Sequence, residues 1–173
     1  MKHVNVALFV PHAGCPHQCS FCNQKTISGS IKPLTPEDVT AACDIAKNGG
    51  VTRESSEIAF FGGSFTAVDR DYMVSLLEAA KPYIDGGYFG GIRISTRPDA
   101  IDDERLEILK KYHVTSIELG AQSMDDSVLK INRRGHSAKD VENASHLIKS
   151  YGFSLGLQMM TGLMRNVLKP PKG

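Results

Sequence analysis

Short stretches of this chain alternate apolar and polar residues, and the stretches between them repeat apolar residues at helical spacing. His3 to Val10 is dense in β-branched and apolar residues and reads as a strand. Glu57 to Phe61 is a short apolar run that ends at Gly62-Gly63. Gly91 to Thr96 alternates, with Ile92 and Ile94 on one face, and stops before Pro98. Ser116 to Leu119 and Ser154 to Met160 predict two more short strands.

Helices are predicted between them. Thr35-Pro36-Glu37-Asp38 supplies an N-cap, a proline at the first helical position and acids in the first turn. That helix should run to Lys47 and stop at Asn48-Gly49-Gly50. Asp71 to Ile84 presents Met73, Leu76, Leu77 and Ala80 on one face, and Pro82 should kink or loosen its last turn. Asp103 to Tyr112 carries Leu106, Leu109 and Tyr112 at helical spacing. Ser137-Ala138-Lys139-Asp140 resembles a capping box with Asp in place of Glu, opening a helix that ends near Gly152. Strands alternating with helices indicate an α/β fold with a parallel sheet and right-handed crossovers. In such folds chemistry sits at the carboxyl ends of the strands. The unusual motifs of this chain all fall there.

Composition narrows the class without naming it. The 173 residues suffice for one domain with a sizeable core, at 41% hydrophobic and 23% charged. A net charge of +1 gives no bulk field towards nucleic acid or an anionic membrane. No apolar run is long enough to span a bilayer, and Met1-Lys2-His3 does not open a signal peptide. The expectation is a cytoplasmic protein without membrane partners, in a compartment where thiols stay reduced.

Three of the four cysteines crowd into one loop. Cys15, Cys19 and Cys22 are spaced C-x3-C-x2-C after the first strand. In a reducing compartment that spacing reads as a metal centre. Three thiolates can bind three irons of a [4Fe–4S] cubane, one short of a full protein set, which leaves one iron open to another ligand. A zinc site would use the same cysteines with His12 or His17, although no second Cys/His pair of zinc spacing follows. Cys43 sits within an amphipathic helix and reads as a small buried residue.

C-x3-C-x2-C after the first strand, with Phe21 before the last cysteine, resembles the signature of the radical SAM superfamily. The resemblance implies a partial parallel (β/α) barrel and two cofactors, a [4Fe–4S] cluster on Cys15, Cys19 and Cys22 and S-adenosylmethionine on its open iron. Reduction of the cluster would cleave S-adenosylmethionine to a 5′-deoxyadenosyl radical that abstracts hydrogen from substrate. Phe21 would pack against the cluster.

The other strand ends carry the same resemblance. Gly62-Gly63-Ser64 lets backbone approach a ligand and is similar to the family's GGE motif, with Ser64 in place of the acid. Thr96-Arg97-Pro98-Asp99 is similar to the T-R-P-D of the Elongator catalytic subunit, although Ser95 stands where those relatives often carry Glu. Arg97-Pro98 reads equally well as a strand-ending turn. Glu118 to Ser123 is similar to E-L-G-V-Q-S, which would bring Gln122 to the cofactor. Asn132-Arg133-Arg134-Gly135-His136 is similar to N-R-G-H; adjacency to Gly135-His136 favours Arg134 over Arg133 as a carboxylate clamp. Gln158, on the fifth strand, occupies a cofactor-facing position in relatives. Phe9 stands where the coproporphyrinogen oxidase-like branch has tyrosine, which tilts the resemblance to the Elongator-like branch.

The resemblance covers residues 4 to 163. It implies five β/α units in a core domain of residues 1–163, truncated before the sixth, with an irregular tail at residues 164–173. The expected function is a radical SAM enzyme served by an external electron donor such as flavodoxin or ferredoxin. Its substrate could be transfer RNA, a porphyrinogen or a small metabolite. The competing expectation is a truncated, inactive fragment that binds a cluster without catalysis.

Overall fold

The computed structural model describes residues 3–11, 19 and 32–164. Five strands alternate with helices: β1 Val4–Val10, α1 Pro36–Asn48, β2 Ser56–Gly62, α2 Arg70–Asp85, β3 Ile92–Thr96, α3 Asp103–Lys111, β4 Val114–Gln122, α4 Asp126–Ile131, α5 Ala138–Ser150 and β5 Ser154–Met159. All neighbouring strands are parallel, in the spatial order β1-β2-β3-β4-β5. With right-handed crossovers that order places successive helices on one face, the winding of a (β/α) barrel. A doubly wound sheet would reverse its strand order and carry helices on both faces.

The helix-facing rows form the core. Val6, Leu8 and Val10 of β1, Ile58 and Phe60 of β2, Ile92 and Ile94 of β3, and Ile117 and Leu119 of β4 are buried in one cluster. They pack with Val39 and Cys43 of α1, Met73, Leu76, Leu77 and Ala80 of α2, Leu106 and Leu109 of α3, and Val141, Ala144 and Ile148 of α5. Cys43 is fully buried, and burial with the nearby Asp44 carboxylate pushes its thiol up to about 12, so it is a core residue.

The caps explain the helix starts. Thr35 with Asp38, and Ser137 with Asp140, close reciprocal capping boxes in which aspartate serves where glutamate is usual. Asp69, not Asp71, opens α2, its carboxylate accepting from Tyr72 N–H. Pro82 does not end that helix, which continues to Asp85.

The opposite face is charged. Arg93 donates to Glu57 through Nε and Nη2 at 3.0 and 2.9 Å and to Glu118 through Nη1 at 2.5 Å. The Glu118 carboxylate occupies the space that a side chain at Gly156 would need: a Cβ there would lie 2.4 Å from Oε2. A glycine on β5 is therefore the counterpart of this ion network. Among the described residues, no helix is long and apolar enough to cross a membrane.

Candidate cofactor site at the strand carboxyl ends

β1 hands over to β2 at the first glycine. Gly62 adopts φ 111°, and a Cβ there would stand 2.6 Å from the Val10 carbonyl oxygen and 2.7 Å from the Phe9 ring. Only glycine allows this approach. The Gly63 N–H donates to the Val10 carbonyl at 3.0 Å, so that amide is committed to the fold.

Ser64 begins a chain of buried hydroxyls. The Arg97 N–H donates to Ser64 Oγ at 3.1 Å. Ser64 Oγ lies 2.8 Å from Thr96 Oγ1, which lies 2.5 Å from Thr66 Oγ1, and Thr66 donates to the Ala100 carbonyl. The ends set one polarity. Ala100 O can only accept, so Thr66 accepts from Thr96, and Thr96 accepts from Ser64. The residue in the place of the family's acid thus stitches β2 to β3.

The loop after α4 explains which arginine turns inward. Arg133 has φ 53°, its N–H donates to Lys130 O, and Arg134 N–H reaches back to Leu129 O at 3.0 Å. This is a Schellman turn with arginine in the left-handed position usually given to glycine. It leaves Arg133 and Gly135 exposed and sends Asn132, Arg134 and His136 inward.

Arg134 then meets the cysteine loop. Its Nη1 donates to Cys19 Sγ at 3.2 Å and its Nη2 to the Gly120 carbonyl at 2.8 Å. Arg97 Nη1 lies 4.0 Å from the same sulfur. Cys19 and Arg134 are each 6% exposed and Arg97 5%, so the sulfur and both cations share a space closed to bulk water. His136 Nε2 donates to the Ala121 carbonyl at 3.1 Å. Burial pushes the imidazole below its ordinary value; that hydrogen bond opposes the shift, and the Arg134 and Arg97 charges add to it.

β4 runs further than its sequence pattern suggests. The segment Gly120-Ala121-Gln122, expected to follow the strand, continues it through a register shift between Leu119 and Gln122. Gln122 takes φ 67°, and its carbonyl accepts from Met160 N–H at 3.0 Å. A Cβ at Gly120 would be 3.5 Å from Gln122 Nε2 and 3.6 Å from Arg134 Nη2, so both side chains converge over this glycine. A cleft of about 400 Å³ opens just past the end of β4, lined by Ser123, Asp125, Met160, Thr161 and Gly162 among others.

The structure therefore gathers Cys19, Arg134, Gln122 and Ser64 at one edge, with Gly62 and Gly63 beside Ser64. Gln158 is exposed on β5, next to Met159, which pairs with Gln122. Cys15, Cys22, Phe21, His12 and His17 lie outside the described residues, as does the tail from residue 165. Arg97 is the addition that spacing alone did not single out; its only sequence signal was the T-R-P-D match.

A parallel β/α sheet wound on one side, with the motif residues gathered at its strand ends, places the fold in the β/α barrel class. The model of the Radical SAM superfamily matches residues 9–167, and the chain belongs to that family of enzymes. It is 25% identical over 191 residues to a tRNA uridine(34) acetyltransferase of Dehalococcoides mccartyi, covering 91% of this chain and 41% of the relative. It is 26% identical over 167 residues to the heme chaperone HemW of Bacillus subtilis, covering 90% of this chain and 42% of the relative. The solved structure of the archaeal Methanocaldococcus infernus Elp3 with an N-terminal deletion shares the fold at TM-score 0.68 and 21% identity, over 94% of this chain and 39% of that one. The chain thus spans about two-fifths of the length of these relatives.

Proposed function

We propose that this chain forms the cofactor-binding core of a radical SAM enzyme of the Elongator-like branch, with Cys15, Cys19 and Cys22 as the ligands of a [4Fe–4S] cluster. One observation carries the reading: the Cys19 sulfur is buried at the strand ends against N–H donors of two arginines. Cationic N–H donors at a buried sulfur suit a ligand of an iron–sulfur cluster. Such a cluster, when bound, would supply one electron to S-adenosylmethionine, cleaving a carbon–sulfur bond to release methionine and a hydrogen-abstracting 5′-deoxyadenosyl radical.

The chain's own residues do the rest. Gly62 and Gly63 bring backbone close to the ligand, Ser64 fixes their turn, and Gln122 and Arg134 present an amide and a guanidinium to a polar amino-acid headgroup. Gln158 lines the same edge from β5. Burial of Cys19 and its neighbours keeps water from the reacting group. The electron comes from an external one-electron donor such as flavodoxin or ferredoxin. The tRNA uridine(34) acetyltransferase name of a relative supports transfer RNA as the substrate class.

Anaerobic reconstitution with iron and sulfide tests the reading. Wild type should take up about four irons and four sulfides per chain. Cys19→Ala should lose the cluster spectrum, whereas Cys43→Ala should keep it. The reduced protein should release 5′-deoxyadenosine from S-adenosylmethionine. Uptake of zinc without iron would refute the cluster; a full cluster with no 5′-deoxyadenosine would reduce the chain to a cluster-binding fragment.

A further inference from the structure

We propose that Arg97 is a positioning residue that sets the reduction potential of the cluster through the Cys19 sulfur; the proposal rests on the cluster reading above. Arg97 is built into the site from every side. Its Nε donates to Asp99 Oδ1 at 2.9 Å, its Nη2 to the Arg134 carbonyl, and its backbone N–H to Ser64 Oγ at 3.1 Å. Its Nη1 is thereby held 4.0 Å from Cys19 Sγ, on which Arg134 Nη1 also converges at 3.2 Å.

Reduction of a cluster adds one negative charge, spread over iron and sulfur. Cations and N–H donors fixed at a ligand sulfur stabilise the reduced form more than the oxidised one, and so raise the potential. The effect is strong where water is excluded, and Arg97 and Cys19 are both buried. Arg97 meets the predicted cluster site at the Cys19 sulfur. It acts through Cys19 and by gripping the backbone of Arg134. Asp99 has the opposite influence: its carboxylate partly offsets the guanidinium charge.

The test is a mediator-coupled dithionite titration of the reconstituted full chain, followed by the electron paramagnetic resonance of the reduced cluster, with no substrate and no turnover. Iron and sulfide are counted in each sample. Arg97→Gln should lower the reduced-to-oxidised ratio at a fixed potential about tenfold, which is about 59 mV for one electron. Arg97→Lys should recover most of that loss, because the charge is kept. Asp99→Asn should shift the ratio the other way, and at this less buried position it keeps the test available if Arg97→Gln does not fold. A merely structural Arg97 would change melting temperature and leave the potential fixed. Equal potentials in the loaded wild type and the Asp99→Asn and Arg97 variants would overturn this proposal and leave the cluster assignment intact. Failure of the wild type to assemble a cluster would overturn both.

Discussion

Replacing Thr96 with valine interrupts the hydroxyl chain at its centre while keeping the shape of the side chain. Thr96 accepts from Ser64 and donates to Thr66, at 2.8 and 2.5 Å, and all three residues are buried. In Thr96→Val the Ser64 hydroxyl loses its acceptor, while Thr66 keeps its bond to Ala100 and loses only a donor. A buried donor left without a partner costs about 1–3 kcal/mol, and a lost net hydrogen bond about 0.5–1.5 kcal/mol. The expected destabilisation is about 2–3 kcal/mol, or roughly 4–12 °C in melting temperature for a chain of this size. Urea unfolding of the cluster-free protein measures it, with the slope unchanged and the midpoint lowered. Thr96→Ser keeps the hydroxyl and should cost less than half as much. A double-mutant cycle with Ser64→Ala should show coupling of at least about 0.5 kcal/mol, because the two residues share one network. If Thr96→Val is as stable as wild type within about 0.5 kcal/mol, the single-polarity chain is wrong and Ser64 is available to a ligand.

Two other perturbations bear on the site. Gly62→Ala forces a Cβ into the Val10 carbonyl at φ 111°, so it should lose roughly 1–3 kcal/mol from strain alone and also lower iron uptake; wild-type stability in urea would contradict the assigned backbone. His136 is held below its ordinary value, first by burial and then by Arg134 and Arg97, with the Ala121 bond and Asp99 opposing. The unfolded chain therefore binds more protons than the folded one just below the ordinary histidine value of about 6.5. Its contribution is complete above that value and is lost as pH falls through the folded one. Asp140, which caps α5 nearby, titrates lower and belongs to a separate window. The melting temperature of wild type should fall from pH 7 to pH 5 more steeply than that of His136→Gln, and parallel curves would remove His136 from the account.

The sheet was legible because its rows are consistent. Ile92 and Ile94 alternate in the sequence and both are buried against the helices, and the capping segments at Thr35 and Ser137 mark where α1 and α5 begin. The end of β4 was not legible. Gly120 reads as a strand breaker, yet pairing with β5 resumes past it through a register shift, which is a tertiary effect with no local signal. The inward turn of Arg134 was only half legible. The Schellman turn that produces it places Arg133, rather than a glycine, at positive φ, so sequence spacing alone offered two adjacent arginines with equal chemistry.

Motif resemblance names a residue by its place in the chain; the fold decides what its side chain touches. Ser64 and Arg97 show the consequence most clearly. Each stands in a strand-end segment that resembles the family, and each departs from a simple ligand role. The Ser64 hydroxyl is used up between Thr96 and the Arg97 N–H. Arg97 is spent on Asp99, the Arg134 backbone and the neighbourhood of Cys19. A glutamate at position 64 could not enter this arrangement as an ion, because an acceptor-only carboxylate cannot donate to Thr96. The hydroxyl at Ser64 and the backbone N–H of Arg97 therefore belong to one hydrogen-bond network. Converting the GGS segment to GGE should fail unless Thr96 is changed with it: the single change should destabilise the chain, and a second change of Thr96 that no longer requires a donor should recover part of the loss.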